Sequence, residues 1–484
     1  MGLDRRNRWL ALLVLCLGDL MIVLDGTIVN VALPSIKDDL ALSQTSLSWI
    51  VNGYLLTFGG FLLLGGRLGD LFGQRRMFLA GIALFTVASA ACGLANSQEL
   101  LVGARAVQGL GGALVASVAL SLTMVLFTEP AERAKAMGIF GFVLSGGGAA
   151  GVLLGGILTQ VDWHWIFLVN LPVGILVYVL SLRLLPGVPG SAAGQRIDVA
   201  GAITVTAALM LAVYAIVNGN DAGWGSTQTL GLFSAALALL AGFLLLESRL
   251  SQPLMPLGIF RNRTVSAANV VGVLLAGGMF AYFFFSALYL QQILGYSPLE
   301  VGLAYLPGTI IWGASSLYSD KLVMRWGISP PLLGGLGLMT VALLLLGRTP
   351  VDGSFVVDVL PATVLAGVGA GIAFNPLLLS AMSGVAPTES GLASGVVNTA
   401  FMMGGALGLA VLASLADSRT RNLLGSGEGT LGALNGGFHV AFLVGAIFVV
   451  AAATVAAALL RSVKPAAHAG MEGPPEGAPV TESA

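Results

Sequence analysis

The stretch CLGDLMIVLDGTIVNVALP, residues 16–34, is apolar along almost its whole length but carries two acids, Asp19 and Asp25. A helix needs about 20 mainly apolar residues to cross a bilayer, and this stretch lies in a run of that length. Ionised carboxylates at membrane depth are costly and are usually functional. The first question is therefore what two acids do there.

The composition of the whole chain agrees with a membrane location. The chain has 484 residues, of which 56% are hydrophobic and 9% charged, with a mean hydropathy of +0.92. Soluble proteins carry about 25% charged residues. We therefore expect an all-α integral membrane protein, and a net charge of -1 gives no reason to expect a nucleic-acid partner.

Apolar runs of spanning length predict fourteen transmembrane helices. They cover residues 10–33, 46–66, 77–95, 100–127, 136–158, 165–185, 197–217, 230–246, 265–293, 301–319, 330–346, 356–380, 393–415 and 440–460.

The basic residues predict the orientation. With both termini in the cytoplasm, 17 of the 22 Lys and Arg residues fall in cytoplasmic segments and 4 in outer segments. The last one, Arg105, lies inside a helix. This positive-inside bias predicts a multi-pass protein of the cytoplasmic membrane with an even number of helices. Twelve would also be even, but the runs 197–217 and 230–246 both look long enough to span.

The turn after the second predicted helix reads GGRLGDLFGQRR, residues 65–76. It places Asp70 near the basic pair Arg75 and Arg76, and such groups can form charge-assisted hydrogen bonds across a helix boundary. A plain positive-inside loop is an equally good interpretation from the residues alone.

This turn resembles the loop signature of the major facilitator superfamily, with Gly66, Asp70, Gly73, Arg75 and Arg76 in place. Further stretches resemble the fourteen-helix drug:proton antiporter group of that superfamily: LDGTIVNVALP (24–34), RAVQGLGGA (105–113), GAAGVLLGG (148–156), WHWIFLVNLPVG (163–174) and LYLQQILGYSPLEVGLAYLPG (288–308). Two positions depart from the group, because Val152 stands where proline is usual and His164 where arginine is common.

The resemblance implies a major-facilitator fold, with two six-helix bundles and a two-helix insert. The expected divisions are a cytoplasmic N-terminus at 1–9, bundles at 10–190 and 261–462, the insert at 191–260 and a disordered cytoplasmic tail at 463–484. It also implies a proton-coupled antiporter that exports drugs, antibiotics or toxic metabolites. Gly66, Asp70, Gly73, Arg75 and Arg76 would form a conformational latch. The antiporter-motif residues Gly151, Gly155 and Gly156 would pack the bundle interface.

The two acids lie about 120° apart around the helix axis, so they do not share a face. Arg105 is the only base that we expect within the membrane, so at most one acid gains a cationic partner there. We expect Asp25, with Asp19 and Arg105, to couple protons to transport, because a proton and a cationic drug would compete. The alternative, a structural hydrogen-bonding role, is stronger for Asp19.

Polar and aromatic residues on the central helices are candidates for substrate binding, and aromatic and Met walls suit amphipathic compounds. Helix packing or lipid contact is the alternative for each of them. They are Asn52, Tyr54, Tyr282, Phe284, Tyr289, Gln291, Trp312, Phe374, Asn375, Asn398 and Met402.

Other classes of function have less support in the sequence. No lysine follows a glycine, so the chain has no P-loop for a nucleotide. The two cysteines and three histidines show no metal spacing, and we expect no cofactor, no metal and no enzyme activity. A metabolite or nutrient carrier of the same superfamily is the main alternative. A non-transporting sensor would carry a soluble output domain, which the sequence lacks, and a channel would show flux without proton coupling.

Overall fold

The computed structural model describes residues 5–127, 129–187, 198–250, 253–382, 385 and 390–460, and this part of the chain is helical without strands. The helices are α1 Arg5–Asp39, α2 Gln44–Phe72, α3 Gln74–Cys92, α4 Gln98–Leu126, α5 Pro130–Val161, α6 Trp165–Leu168, α7 Asn170–Leu184, α8 Val199–Ala222, α9 Thr227–Arg249, α10 Arg263–Leu288, α11 Pro298–Trp326, α12 Ser329–Leu346, α13 Leu360–Met382, α14 Ser390–Gly425 and α15 Thr430–Leu459. A 3-10 turn, Leu257–Arg261, precedes α10, and π-helical turns follow α10 at Tyr289–Ile293 and precede α13 at Phe355–Val359.

The predicted helices are found in this part of the chain, with α6 and α7 together forming one span. Twelve of the fourteen spans are long and apolar enough to cross a membrane. The other two, α5 and α11, are 32 and 29 residues long and complete the set. Several helices run beyond the predicted bounds: α14 continues past 415 to Gly425, and α15 begins at Thr430 rather than 440.

Local capping residues explain where many helices begin. Ser43 and Ser97 accept hydrogen bonds from backbone N–H groups in the first turns of α2 and α4. Ser297 and Glu300 form a reciprocal capping box at the start of α11. Each cap satisfies N–H groups that have no partner within the helix. Gly73 separates α2 from α3 at a φ of 96°, a conformation that favours glycine.

The helices form two bundles. In the N-terminal bundle, α1–α7, α4 packs on α2 and α3, and α1 packs on α5 and α7. In the C-terminal bundle, α10–α15, α10 packs on α14 and α15, and α13 packs on α11 and α12. The bundles meet along two seams, α2 against α14 and α5 against α11.

The two remaining helices, α8 and α9, form an insert on the outside of one seam. Helix α8 packs on both α2 and α14, and α9 packs on α8. Leucines on α9 are exposed, including Leu237 at 68% and Leu245 at 57%. Large exposed apolar side chains suit a lipid-facing surface. The insert therefore lies between the α2–α14 seam and the surrounding lipid.

Candidate functional site: a buried ion pair in the N-terminal bundle

The site centres on an ion pair between Asp25 of α1 and Arg105 of α4. Arg105 Nη1 donates to Asp25 Oδ2. The side chain of Arg105 is 2% exposed and that of Asp25 is 0% exposed. The structure thus gives the buried base to Asp25 and not to Asp19. Burial of both charges is costly in apolar surroundings, and the pair persists only with further hydrogen bonds.

Two uncharged side chains, Gln108 and Asn170, supply those hydrogen bonds, and Ser89 accepts from both of them. Gln108 donates to Asp25 Oδ1 at 2.7 Å and accepts from Arg105 Nη1 at 2.6 Å. Asn170 of α7 donates to Asp25 Oδ1 at 3.1 Å, and Ser89 of α3 accepts from Gln108 at 2.8 Å. Asp25 is therefore held by donors from α4 and α7 together.

The guanidinium of Arg105 is also fixed on its other side. Its Nε donates to the carbonyl oxygen of Ile50 at 3.1 Å. The ring of Tyr54 lies 4.3 Å from the guanidinium carbon, and the ring of Phe167 lies 5.7 Å away. These cation–π contacts add to the attraction in a desolvated site. Arg105 thus links α1, α2 and α4 through one side chain.

This geometry has a direct chemical consequence. Protonation of Asp25 would remove the negative charge that holds Arg105, while the Ile50 carbonyl and Gln108 would remain as its acceptors. Charge-assisted hydrogen bonds are about twice as strong as neutral ones, so the contact between α1 and α4 would weaken. A proton at this carboxyl can therefore change how two helices of the bundle are held together.

Asp19 lies in a different environment. It is 5% exposed, and its Oδ2 has no hydrogen-bond partner in the described part of the chain. The hydroxyl of Tyr54, itself a predicted substrate residue, is likewise buried without a partner there. A buried carboxyl oxygen without a donor is costly when ionised, so Asp19 suits a proton or a cationic group.

The predicted latch residues lie on both sides of the turn at Gly73, with Gly66 and Asp70 in the last turns of α2 and Arg75 and Arg76 in the first turn of α3. Asp70 and Arg76 are exposed, and neither forms an ion pair among the described residues. Arg75 instead donates to the carbonyl oxygen of Leu182 at the end of α7. The turn is thus tied to α7 of its own bundle, and Gly66 has open space around its Cα.

The predicted antiporter-motif glycines make contacts in two directions. A Cβ at Gly155 would lie 2.9 Å from the Ile28 carbonyl oxygen of α1, and Gly151 also packs on α1, against Thr27. A Cβ at Gly156 would lie 2.8 Å from the Pro298 carbonyl oxygen of α11. Small residues allow such close backbone approach. The three glycines therefore pack α5 against both its own bundle and the other one.

An aromatic cavity lies inside the C-terminal bundle, between α10, α11, α12 and α13. Tyr282, Phe283 and Trp312 line it, together with Met279 and Met339. Phe283 and Trp312 are stacked with ring centroids 6.2 Å apart. Its apolar and aromatic lining suits an apolar or aromatic ligand only once the cavity has widened, because its volume in this conformation, about 10 Å³, is close to that needed for a single water.

The other predicted substrate residues are spread over several places. Phe284 and Tyr289 are packed in the interior, and the Tyr289 hydroxyl donates to the Pro350 carbonyl oxygen. Gln291 donates across the bundles to the Val31 carbonyl oxygen at 2.8 Å. The remaining ones are partly or fully buried on α2, α13 and α14: Asn52, Phe374, Asn375, Asn398 and Met402. The structure brings Tyr282 and Trp312 together at the cavity and adds Phe283, which the sequence analysis missed.

Comparison with known proteins identifies the family. The model of the Major Facilitator Superfamily matches residues 15–409. The chain belongs to the major facilitator superfamily. The puromycin resistance protein pur8 of Streptomyces alboniger is 40% identical over 93% of this chain and 91% of its own length. The cephamycin export protein CmcT of Amycolatopsis lactamdurans is 36% identical over 94% of both chains.

Solved structures of the superfamily support the fold. The in meso crystal structure of the POT family transporter PepTSo superposes with a TM-score of 0.70 at 15% identity, covering 96% of this chain and 99% of that one. The nucleoside transporter NupG superposes with a TM-score of 0.67 at 12% identity, covering 93% and 100%. At such identities the likeness concerns the fold alone. The protein is thus a transporter of the major facilitator superfamily whose N-terminal bundle holds a buried ion pair.

Proposed function

We propose that this transporter is a proton-coupled antiporter that exports drugs, antibiotics or toxic metabolites across the cytoplasmic membrane by alternating access. The observation that carries the proposal is the buried Asp25–Arg105 pair, an acid placed where a proton changes helix contacts. The names of the relatives, a puromycin resistance protein and a cephamycin exporter, support an antibiotic or similar compound as substrate.

Asp25 takes a proton from the outside and releases it inside. When Asp25 is protonated, Arg105 is held by neutral acceptors alone, and α1 is free to shift relative to α4. Helix α1 also packs on α5, which forms one seam with α11, so this shift is passed to the bundle interface. One charge that moves through 100 mV gains about 2.3 kcal/mol, and the pH gradient adds to this.

The substrate binds at the aromatic cavity of the C-terminal bundle. It competes with protons that bind to the acids of the N-terminal bundle. Tyr282, Phe283 and Trp312 provide planar apolar contact. For a cationic substrate, the unpartnered carboxyl of Asp19 provides charge. Because proton and cation favour opposite states of the acids, each lowers the affinity for the other by the same factor.

The orientation and the latch complete the proposal. The excess of basic residues supports a cytoplasmic location for both termini and for the turn at Gly73. Asp70, Arg75 and Arg76 then act at the cytoplasmic face, where Arg75 already ties the turn to α7. Gly156 packs α5 against the start of α11, at the end of their seam that lies away from the cytoplasm.

Purified protein in liposomes that contain a pH-sensitive dye tests this function. A panel of lipophilic cations and neutral antibiotics is added to wild type, Asp25→Asn and Asp19→Asn under an imposed pH gradient. We expect at least one compound to dissipate the gradient with wild type and none with Asp25→Asn. Asp320→Asn, which alters an exposed acid on α11, is the matched control and should behave as wild type.

Three results would contradict part or all of this function. Equal coupling in Asp25→Asn and wild type would remove Asp25 as the proton site. Uptake or exchange of polar metabolites without proton movement, with no response to any drug, would favour a metabolite carrier. Loss of coupling in Asp19→Asn alone would move the proton site to Asp19.

A further inference from the structure

Two acids of the insert, Asp198 and Glu247, are buried at the end of α8 and α9 nearest the Gly73 turn. They are 8% and 3% exposed. Asp198 caps α8, and its Oδ1 accepts from the Gly201 N–H at 2.7 Å. Glu247 lies near the end of α9, and its Oε2 accepts from the Met255 N–H at 3.0 Å. Each carboxyl thus uses one oxygen to hold backbone.

The second oxygens of these carboxyls face each other. Neither Asp198 Oδ2 nor Glu247 Oε1 has a hydrogen-bond partner in the described part of the chain. A Cβ at Gly201 would contact Asp198 Oδ2 and lie 2.9 Å from Glu247 Oε1, so both oxygens border the same small space. Since both oxygens lie within 2.9 Å of one point, they are at most about 5 Å apart. Gly201 leaves room for a contact between them.

Among the described residues, the surroundings of the pair offer no compensating charge. Leu64, Ala202 and Leu254 form a small apolar cluster at this corner, with further apolar side chains of α2 packed against it. The charged residues of the neighbouring helix ends, Arg67, Asp70 and Arg249, are exposed. Neither Asp198 nor Glu247 forms an ion pair with a described residue.

We propose that Asp198 and Glu247 form a proton-binding carboxyl pair that shares one proton and so holds the insert to the segment that leads into the C-terminal bundle. Two carboxylates this close in apolar surroundings cannot both ionise without strong repulsion. One shared proton replaces this repulsion by a hydrogen bond between Asp198 and Glu247. The other two oxygens, Asp198 Oδ1 and Glu247 Oε2, continue to accept from the N–H groups of Gly201 and Met255. A divalent cation fits less well, because Ca²⁺ takes 6–8 oxygen ligands and the described residues offer no group of three or more His, Cys, Asp or Glu.

The shared proton makes the contact between Asp198 and Glu247 depend on pH. The closed pair holds one proton, and two separated carboxyls hold none above about pH 4. Rising pH therefore favours separation by about tenfold per pH unit, until the closed pair itself loses its proton. When the pair separates, Glu247 releases the Met255 N–H. The site would thus loosen the insert at its cytoplasmic end as the cytoplasm becomes alkaline.

Hydrogen–deuterium exchange of the full-length protein in nanodiscs tests this pair without any transport assay. The peptide that contains Met255 is followed from pH 5 to 9, with its rate corrected for the intrinsic pH dependence of exchange. We expect protection in wild type to fall by about tenfold per pH unit over part of this range. Glu247→Gln and Asp198→Asn each place a permanent N–H donor in the pair and keep the acceptor for backbone. Both should show protection that does not change with pH.

An exposed acid outside the insert provides the control. Asp320→Asn, on an exposed face of α11, should keep the wild-type profile. A wild-type profile without a pH-dependent fall, or the same fall in either pair variant, would overturn the proposal. A fall that moves on addition of Mg²⁺ or EDTA would show that a metal ion and not a proton occupies the pair. Because the readout is local protection, failure here is distinguishable from failure of proton-coupled export.

Discussion

The two bundles share one architecture but bury different chemistry. The N-terminal bundle buries Asp19, Asp25 and Arg105, whereas the described residues of the C-terminal bundle bury no acid and no base. The C-terminal bundle instead has a continuous group of aromatic contacts around its cavity, including Tyr282 with Tyr305 and Phe283 with Trp312. The same helical scaffold therefore holds charge in one half and apolar surface in the other.

Under the proposed function, this difference would separate two tasks, proton binding and substrate binding, that would interfere within one bundle. A cavity lined by aromatic rings accepts varied planar compounds because it makes few directional demands. A buried carboxyl responds to protons only where donors are placed precisely around each of its oxygens. The α2–α14 and α5–α11 seams join the two halves, so a change in the charged half can reach the aromatic half.

The largest expected effect comes from removing the base of the charged half. Arg105→Met would leave Asp25 buried without its cation, and breaking a buried pair from one side costs about 3–5 kcal/mol. We expect a marked fall in the thermal unfolding temperature of the purified protein. Asp25→Asn combined with Arg105→Met should recover much of the loss, since no uncompensated charge then remains.

Arg183→Met, which removes an exposed arginine from the same bundle, is the control for this pair of variants. A fall in unfolding temperature as large in Arg183→Met as in Arg105→Met would show that burial of the pair is not the cause. Additive effects of the two substitutions at 25 and 105 would contradict the direct coupling of the two side chains.

A smaller effect is expected at the seam that joins the halves. Gly156→Ala would place a methyl group 2.8 Å from the Pro298 carbonyl oxygen and 2.9 Å from Leu299 Cα, and backbone atoms cannot yield easily. Overpacking of this kind costs about 1–3 kcal/mol in the state where α5 touches α11. The transport rate in liposomes should fall several-fold, while Gly103→Ala, at a glycine with open space, should leave it unchanged. An unaltered rate in Gly156→Ala would exclude this contact from the transport cycle.

The aromatic half is tested by Trp312→Ala. Loss of one aromatic wall of the cavity should weaken binding of planar substrates by about 1–2 kcal/mol, or roughly 5–30-fold in KM. The number of protons exchanged for each substrate should not change, because the charged half is intact. Trp326→Ala removes an exposed tryptophan at the end of the same helix and is the control. A changed proton stoichiometry in Trp312→Ala would contradict the division between the halves.

Much of this comparison could be predicted from the sequence, because long apolar runs mark the helices and a single base expected within the membrane has few possible partners. Gln108, Asn170 and Ser89 could not be predicted as a group. Uncharged polar residues are common in apolar helices, and these three converge only after α3, α4 and α7 have packed. Gln108 had one available signal, since it lies three positions after Arg105 and so shares its helix face.

The aromatic half shows a different limit. Residues 282–285 read Tyr-Phe-Phe-Phe, and a run without periodicity does not indicate which side faces a cavity. The sequence analysis selected Tyr282 and Phe284, whereas Tyr282 and Phe283 line the cavity and Phe284 packs against Phe285. Similarly, Asp70 and Arg75 are close in sequence, but the partner of Arg75 is a carbonyl oxygen of α7. Nearest charges along the chain need not be nearest in space.

The smallest effect is expected at Asp162, an exposed acid between α5 and α6 of the N-terminal half. The backbone N–H and the ring of His164 hold the pKa of Asp162 below its ordinary value, with hydrogen bonds of 3.0 and 2.6 Å. A lowered pKa stabilises the fold above about pH 4, the ordinary value of a carboxyl, and this contribution is lost as the pH falls through the lowered value. The Asp162 side chain is 51% exposed, so solvent screening limits the contribution to about 0.5 kcal/mol or less. Asp162→Asn should therefore unfold slightly earlier than wild type at pH 7, and the difference should disappear as the pH falls through the lowered value, as measured by thermal unfolding over a series of decreasing pH. If Asp162→Asn lowered the unfolding temperature as much as Arg105→Met does, burial would not decide which charges of this half stabilise the fold.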